Sequence, residues 1–270
     1  MGLTKQKLRA GLPVYGGWVM IAHPTIIEIY AGECFDWICL DMEHTLIDMR
    51  SIQDCILAVK GTNIDLLVRL SSHEPSIAKR VLDAGVAGVI APCVNSAEQA
   101  RQVVAMTKYP PEGNRGASLA RCTDFGRNFK EHFEYHNDNV IVVIMLEHID
   151  ALANLDKILS VPGIDATFIG PYDLSASMGL PGQLDHPDVV AAQHQILNSC
   201  RKHQIPAGYH VVSPKADLVQ KRVTEGFRFI GCGLDTEFIL QGCRNVIPSI
   251  EKTCSLDSHK QDSPKPKVAV

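Results

Sequence analysis

VIVVIML, residues 140–146, is an unbroken apolar run that stops at an acidic residue, Glu147. A strand with one wet face alternates apolar and polar residues, whereas a parallel strand covered on both faces is apolar throughout. The run therefore predicts a buried parallel strand with a carboxylate at its end. Seven similar runs flank it: VYGGWVM (14–20), DWICLD (36–41), DLLVRL (65–70), AGVIAP (87–92), ATFIGP (166–171), PAGYHV (206–211) and FRFIGCG (227–233).

Helical segments are predicted between these strands. Several open on proline and close on glycine, and Ser-Ala-Glu-Gln at 96–99 has the spacing of a capping box. Strands and helices in alternation, about eight of each, predict an α/β TIM (β/α)8 barrel. A doubly wound sheet is the alternative, but it needs a glycine-rich phosphate turn after the first strand, and Gly16-Gly17-Trp18 does not supply one. The predicted helices are Pro24–Gly32, Asp48–Gly61, Pro75–Gly85, Ser96–Lys108, Ala151–Leu159, Pro187–His203, Pro214–Gly226 and Thr236–Val246.

Two segments depart from the repeating unit. Residues 109–137 form a polar insertion after the fourth strand, which we expect on the catalytic face as a lid or substrate wall. Residues 252–270 are polar and rich in proline and lysine, which predicts a disordered tail. The chain is thus predicted to be one catalytic barrel domain, residues 1–251, followed by that tail.

Composition excludes several functional classes. A net charge of −4 and a pI near 6.2 do not provide the basic surface that nucleic acids or anionic membranes require. No apolar run has the roughly 18–20 residues that cross a bilayer, and the first residues lack a secretory apolar region. We therefore expect a cytoplasmic enzyme with no nucleic-acid or membrane partner.

The nine cysteines include no CxxC pair, and Cys39 and Cys93 lie inside apolar runs. This pattern predicts reduced, buried thiols rather than disulfides or a zinc–thiolate site.

Polar residues follow the predicted strands where each apolar run stops, and the strand ends of a TIM barrel share one catalytic rim. Glu147 and Asp173, on neighbouring strands with no cysteine nearby, suit Mg²⁺ or Mn²⁺. Alternatively, each carboxylate caps the helix that follows it. The polar residues expected at this rim are Asp41, Glu43, His44, Arg69, Glu147 and Asp173.

Arg69 lies on a predicted interior strand and therefore needs an anionic partner. It either forms a structural ion pair with Asp41 or Glu43 or stabilises an enolate or carboxylate. His44 is either a general base tuned by Asp41 or Asp83, or an ordinary loop residue.

Other polar and aromatic residues have less specific patterns. Arg115 either binds an anion or braces the insertion, with bracing favoured. Trp18 is expected to pack at the barrel bottom or rim rather than serve as a ligand platform. His132, His136 and His148 lack HExxH spacing and are interpreted as surface or loop residues.

Schiff-base chemistry is the rival mechanism for an aldolase, and it requires a desolvated lysine at a strand end. The lysines, among them Lys60, Lys79 and Lys157, fall on predicted helices or loops. This distribution favours a metal.

Six segments together resemble the HpcH/HpaI aldolases, class II pyruvate aldolases of the phosphoenolpyruvate/pyruvate barrel superfamily. The resemblance extends from about Gly16 to about Leu240. The D-x-EH, PPEG-x-RG and GP-x-DLS-x-S-x-G elements in this order make it specific. The segments are FDWICLDMEHTLID, LLVRL, VLDAGVAGVIAPCV, PPEGNRGASLAR, IMLEH and DATFIGPYDLSASMG.

The resemblance implies roles for individual residues. Glu147 and Asp173 bind a divalent cation, Mg²⁺, Mn²⁺ or Co²⁺, which the 2-oxo acid chelates. Arg69 stabilises the enolate, His44 serves as or positions the base, and Asp83 raises that histidine's basicity.

The resemblance also implies further catalytic and substrate contacts and an assembly. The substrate carboxylate meets Gly170, Tyr172 and Asp173, Met145 and Trp18 line the same site, and Asp41 belongs to the catalytic group. The expected assembly is a homohexamer, a trimer of dimers that exchange helices.

Three positions depart from the family pattern: Met145 replaces a glutamine, His148 a small hydroxyl residue, and Tyr172 an alanine. The predicted function is cleavage of a 4-hydroxy-2-oxo acid to pyruvate and an aldehyde through a metal-bound enolate. The alternative is oxaloacetate decarboxylation with enolate transfer, as in macrophomate synthase. A CoA-ester lyase lacks a basic nucleotide groove here, and a barrel without turnover stays open because of Met145.

Overall fold

The structure, a computed structural model, describes residues 2–213 and 215–254. Eight parallel strands form one sheet in the order β6-β5-β4-β3-β2-β1-β8-β7. The two edges meet through a parallel bridge between Ile169 and Tyr209, so the sheet is a nearly closed (β/α)8 barrel, as predicted. The strands are β1 Val14–Val19, β2 Trp37–Asp41, β3 Asp65–Arg69, β4 Gly88–Ala91, β5 Ile141–Met145, β6 Ala166–Phe168, β7 Gly208–Val211 and β8 Phe229–Leu234.

Helices cover the outside of the sheet, and their starts follow the capping signals in the sequence. Ser96 Oγ, at the N-cap of α5, accepts from the Gln99 N–H (3.2 Å), and Gln99 Oε1 accepts from the N–H of Asn95, the residue before the N-cap (2.7 Å), so the arrangement is a variant of the capping box. The helices are α1 Leu3–Arg9, α2 Pro24–Ala31, α3 Met49–Ala58, α4 Pro75–Asp83, α5 Ala97–Thr107, α6 Phe129–Asn139, α7 Ile149–Leu152, α8 Leu155–Leu159, α9 Pro171–Ser177, α10 Pro187–Lys202, α11 Ala216–Glu225 and α12 Asp235–Cys254.

Side chains alternate between the two faces of each strand, and this alternation decides what reaches the mouth of the barrel. On β2, Ile38 and Leu40 pack outward against the helices, while Trp37 and Cys39 fill the interior. Asp41 is the next residue in the inward row. The Trp37 ring stacks on Phe229 with centroids 4.3 Å apart, which closes the interior below that rim.

One buried carboxylate joins two loops at the rim. Asp235, at the start of α12, accepts from the backbone N–H groups of Met20 (3.0 Å) and Ile21 (2.8 Å). Because Met20 and Ile21 directly follow β1, this carboxylate fixes the end of β1 against the β8–α12 junction.

The prediction that residues 109–137 lie on the catalytic face is wrong. Helix α5 comes between β4 and this segment, so the segment returns the chain to the N-terminal ends of the strands. Arg121 lies against Gly85, which precedes β4, and the segment continues into α6 before β5. A connection from a helix to a strand occupies the face opposite the active site.

Helix α12 extends the C-terminal boundary. Residues 252–254 are helical rather than disordered, and the rest of the predicted tail, 255–270, lies outside the described residues.

No helix in the described part of the chain is long and apolar enough to cross a membrane.

Gly88 provides a test of strand packing. A Cβ at this position would lie 2.1 Å from the backbone oxygen of Ile141 on β5, the residue opposite it in the register. Gly88→Ala should lower the free energy of unfolding by about 1–3 kcal/mol through overpacking, measured by urea denaturation.

Gly242→Ala is the matched control. No described heavy atom lies within 4 Å of a Cβ at Gly242 on α12, so alanine should stabilise by up to about 1 kcal/mol through helix propensity. Equal stability of the Gly88→Ala variant and the native chain would contradict the packing described for β4 and β5.

Candidate active site

A cavity of about 290 Å³ opens at the C-terminal mouth of the barrel. All the predicted site residues line it except Glu43, Asp83 and Glu147. Its lining comprises Trp18, Met20, Asp41, His44, Arg69, Met145, Gly170, Pro171, Tyr172, Asp173, His210, Val212 and Leu234. A larger cavity of about 370 Å³ lies among strand starts and α6, at the face that does not carry catalysis in this fold.

Asp41 and Arg69 form a buried ion pair at the base of the cavity. Arg69 Nε donates to Asp41 Oδ1 (2.9 Å), and Nη2 donates to the other carboxylate oxygen. Trp18 Nε1 donates to the same carboxylate (3.2 Å), and the guanidinium lies 5.0 Å from the Trp18 ring centroid. Burial raises the pKa of Asp41, but the hydrogen bonds and charge of Arg69 outweigh it and leave this pKa below its ordinary value.

Glu43 and His44 extend this charged group toward the surface. Glu43 Oε2 is 2.9 Å from Arg69 Nη1, an ion pair without the direction of a good hydrogen bond. His44 Nε2 is 3.9 Å from Glu43 Oε2, its backbone N–H donates to Asp41 (3.3 Å), and its side chain is half exposed. The ion pair that the sequence offered as an alternative for Arg69 is therefore present, and it lines the cavity.

Glu147 is buried beneath Gly170, with its two oxygens in different situations. Oε1 accepts from the backbone N–H of Cys93 (2.8 Å), whereas Oε2 has no hydrogen-bond partner in the described chain. Burial raises the pKa of Glu147 to about 7, and the charges of Asp173 and Glu43 add to the effect.

Neither Glu147 nor Asp173 caps a helix with its side chain. His148 caps α7 through Nδ1, which accepts from the Asp150 N–H (3.2 Å), and Gly170 is the N-cap residue of α9. Asp173 lies in the first turn of α9, and its carboxylate approaches the same space above Gly170 as Glu147 Oε2 does.

The donor set fits a divalent cation. Glu43, Cys93 and Glu147 each bring a ligand atom within 4.8 Å of the others. The unpartnered Oε2 of Glu147 requires a positive or hydrogen-bonding group that the described chain does not supply. The expectation that no cysteine lies near the metal-binding carboxylates is wrong, because the Cys93 sulfur lies within 4.8 Å of an oxygen of Glu147. Cys93 was also predicted to be buried, but it is exposed.

His210 is a pocket residue that the sequence analysis missed. It stacks on Trp18 with centroids 4.8 Å apart, and its Nε2 is 3.5 Å from the Gly233 carbonyl oxygen. Burial lowers the pKa of His210 to about 4, so the ring is neutral near pH 7. The signal was available in PAGYHV, whose histidine occupies an inward-facing position of β7.

Asp83 does not line the cavity. It ends α4, and its carboxylate accepts from Arg115 Nη2 (2.7 Å) at the N-terminal side of the helical layer. Arg115 also contacts His136 Nε2 (2.9 Å), so Arg115 braces the 109–137 segment. His136 is buried rather than at the surface, and burial lowers its pKa to about 4.

A sequence profile of the HpcH/HpaI aldolase/citrate lyase family matches residues 15–241. The chain belongs to this family. The 2-dehydro-3,6-dideoxy-6-sulfogluconate aldolase of Pseudomonas putida is 34% identical to it over 237 residues, which cover 87% of this chain and 92% of the relative. The 5-keto-4-deoxy-D-glucarate aldolase of Klebsiella pneumoniae is 34% identical over 250 residues, 91% of this chain and 97% of the relative.

A solved HpcH/HpaI aldolase structure, from Desulfitobacterium hafniense, superposes with a TM-score of 0.88 at 30% identity, covering 93% of this chain and 97% of that one. The chain is therefore a lyase of the HpcH/HpaI family with the barrel of its relatives.

The buried carboxylate of Glu147 generates a pH prediction. Its folded-state pKa near 7 lies above the ordinary glutamate value, so the metal-free protein should lose stability as pH rises from about 4.5 through 7. Glu147→Gln should remove this loss and stabilise the chelator-treated protein at pH 8 by up to about 3 kcal/mol, but little at pH 4.5.

Urea unfolding at both pH values measures the effect, with Glu98→Gln, an exposed site on α5, as control. A native chain as stable at pH 8 as the Glu147→Gln variant would contradict the described environment of Glu147.

Proposed function

We propose that the chain is a divalent-metal-dependent aldolase that cleaves a 4-hydroxy-2-oxo acid to pyruvate and an aldehyde. One observation carries the proposal. Asp41, Glu43, Glu147 and Asp173 bring four carboxylates to the mouth of the barrel, where Arg69 pairs with the first two, and one oxygen of buried Glu147 has no partner in the described chain. A site with this excess of negative charge suits a divalent cation, which in turn can bind the oxygen atoms of a 2-oxo acid.

Glu147 and Asp173 would hold the cation, because their oxygens converge above Gly170. When bound, a divalent cation acts as a Lewis acid that polarises the 2-oxo group. Gly170 leaves room for that group, since a side chain there would meet both carboxylates.

Arg69 is positioned to receive the charge that forms during cleavage. Asp41 holds its Nε and Nη2, which leaves Nη1 directed toward Glu43 and the cavity. Removing the 4-hydroxyl proton breaks the C3–C4 bond, releases the aldehyde and leaves an enolate whose oxygen a guanidinium stabilises. The enolate then takes a proton at C3 and becomes pyruvate.

His44 is the side chain proposed to take or relay the hydroxyl proton. It lies at the cavity rim, and the backbone bond to Asp41 fixes its loop. A half-exposed ring reaches both a substrate hydroxyl and bulk water, which suits proton exchange.

The size and lining of the cavity support a small 2-oxo acid. A volume of about 290 Å³ is small beside the pockets of larger cofactors, which argues against a CoA ester. Relatives are named for aldolases of keto-deoxy sugar acids, so we propose an acceptor aldehyde with hydroxyl groups. Met145 is buried and cannot donate a hydrogen bond, so neutral His210 and Tyr172 are the polar groups left to contact such an aldehyde.

We also propose that the protein is cytoplasmic and that six copies of the chain form a homohexamer. Three apolar side chains of α12, Phe238, Ile239 and Leu240, are each at least 40% exposed in a single chain, and a second copy could cover them. The predicted pairing of Asp83 with His44 also requires a second copy, because Asp83 ends α4 at the face where the strands begin, whereas His44 lines the cavity at the opposite face.

Removing either carboxylate tests the metal assignment. Glu147→Gln and Asp173→Asn should abolish the stimulation by Mg²⁺, Mn²⁺ or Co²⁺ of pyruvate release from 4-hydroxy-2-oxo acids, because each removes a ligand charge. Glu98→Gln should retain it.

Oxaloacetate and product analysis complete the experiment. Pyruvate with an aldehyde supports cleavage, whereas pyruvate with CO2 from oxaloacetate alone supports the enolate-transfer alternative. Full activity of both variants in chelator-treated buffer would refute the metal assignment.

Arg69→Lys tests the stabilisation of the enolate. Lysine cannot donate two parallel hydrogen bonds to Asp41, so its charge is not held at the same point. We expect kcat to fall by about 10²–10³, the scale of losing one oxyanion donor.

Arg127→Lys, an exposed pair with Asp124, is the control, and thermal unfolding checks that both variants fold. An unchanged kcat in a folded Arg69→Lys protein would exclude this role.

A further inference from the structure

Cys93 brings a thiol into a cluster with two carboxylates of the site, those of Glu43 and Glu147. It directly follows Pro92 after β4, and its backbone has a φ of 48° that places it in the left-handed region. Its side chain is exposed, and its sulfur lies within 4.8 Å of a carboxylate oxygen of Glu43 and of Glu147.

The backbone of the same residue holds one oxygen of Glu147. The backbone N–H of Cys93 donates to Oε1 (2.8 Å), which fixes the plane of the carboxylate. Oε2, on a side chain that is only 2% exposed, has no partner in the described residues. The carboxylate beside the thiol therefore has one oxygen that is buried without a partner, and burial of such an oxygen is costly without a counter-charge.

We propose that Cys93 supplies a thiolate ligand to the cation held by Glu147, so that the site prefers Co²⁺ or Zn²⁺ to Mg²⁺. This inference rests on the proposed metal-dependent function and deepens it. On binding, the thiol transfers its proton to solvent, and the sulfur donates an electron pair to the cation, with no change of oxidation state.

The preference follows from the chemistry of the donors. Oxygen ligands alone suit Mg²⁺ and Mn²⁺, whereas a soft thiolate favours zinc, and Co²⁺ binds a given set of donors more tightly than Mn²⁺ does. Glu43 is the third corner of the cluster, but the ion pair with Arg69 engages it, which leaves Cys93 as the uncommitted neighbour of Glu147. The proposal adds a sulfur donor to the oxygen ligands expected from sequence, Glu147 and Asp173.

Cobalt provides a readout that does not depend on turnover. The full-length protein, stripped with chelator and loaded with Co²⁺, should show the near-ultraviolet sulfur-to-cobalt charge-transfer absorption of a thiolate complex. Cys93→Ser should lose that band and bind Co²⁺ at least about tenfold more weakly, the lower bound for losing even an outer partner of a metal ligand. Cys34→Ser, at an exposed cysteine absent from the cluster, is the matched control and should retain both.

A second measurement uses the native chain and needs no variant. Iodoacetamide labelling followed by peptide mass spectrometry should modify Cys93 in the metal-free protein and spare it when Co²⁺ is bound, while Cys34 reacts in both.

The outcomes separate this inference from the function it rests on. Cobalt bound tightly without a charge-transfer band, or a band that survives in Cys93→Ser, overturns the thiolate ligand and leaves the metal-dependent aldolase standing. Absence of Co²⁺ binding to the native chain overturns both proposals.

Discussion

Negative charges in a confined space dominate this molecule. Asp41, Glu43, Glu147 and Asp173 converge at one end of the barrel, where the buried guanidinium of Arg69 pairs with Asp41 and Glu43. Burial raises the pKa of Glu147 to about 7, and the nearby charges of Asp173 and Glu43 add to this rise. The remainder of the fold keeps these groups together: aromatic rings fill the barrel below them, and Asp235 fixes the rim beside them.

The ion pair of Asp41 and Arg69 differs in character from the pair of Glu147 and Asp173. The first is complete, since Arg69 and Trp18 between them contact both oxygens of Asp41. The second is incomplete, because Oε2 of Glu147 has no described partner. A complete buried pair is rigid and positions its members, whereas an incomplete one retains affinity for a ligand. The site therefore combines a fixed guanidinium with a carboxylate that has one oxygen without a partner in the described chain.

Much of the fold could be predicted from sequence, because apolar runs ending in charged residues have few interpretations. The strand containing VIVVIML and the rim positions of Asp41, Arg69 and Asp173 followed from that pattern. The location of residues 109–137 was predicted wrongly. A loop that follows a strand lies on the catalytic face, whereas a loop that follows a helix lies on the opposite face, and α5 precedes this segment. The surroundings of individual side chains could not be predicted either. Cys93 is exposed after Pro92, where its backbone adopts a left-handed conformation, and the apolar residues next to it in sequence do not indicate this conformation.

The position of Arg115 has a consequence for any assembly in which one copy completes another's site. Asp83 is bound to Arg115 at 2.7 Å, and Arg115 is itself enclosed by His136 and the ring of Tyr109. If Asp83 of one copy contacts the site of a second copy, the paired Arg115 comes with it. The two side chains together are nearly neutral. The incoming pair would change the shape and the local dipoles of the receiving rim. It would not add an unpaired fifth carboxylate to a site that already has four.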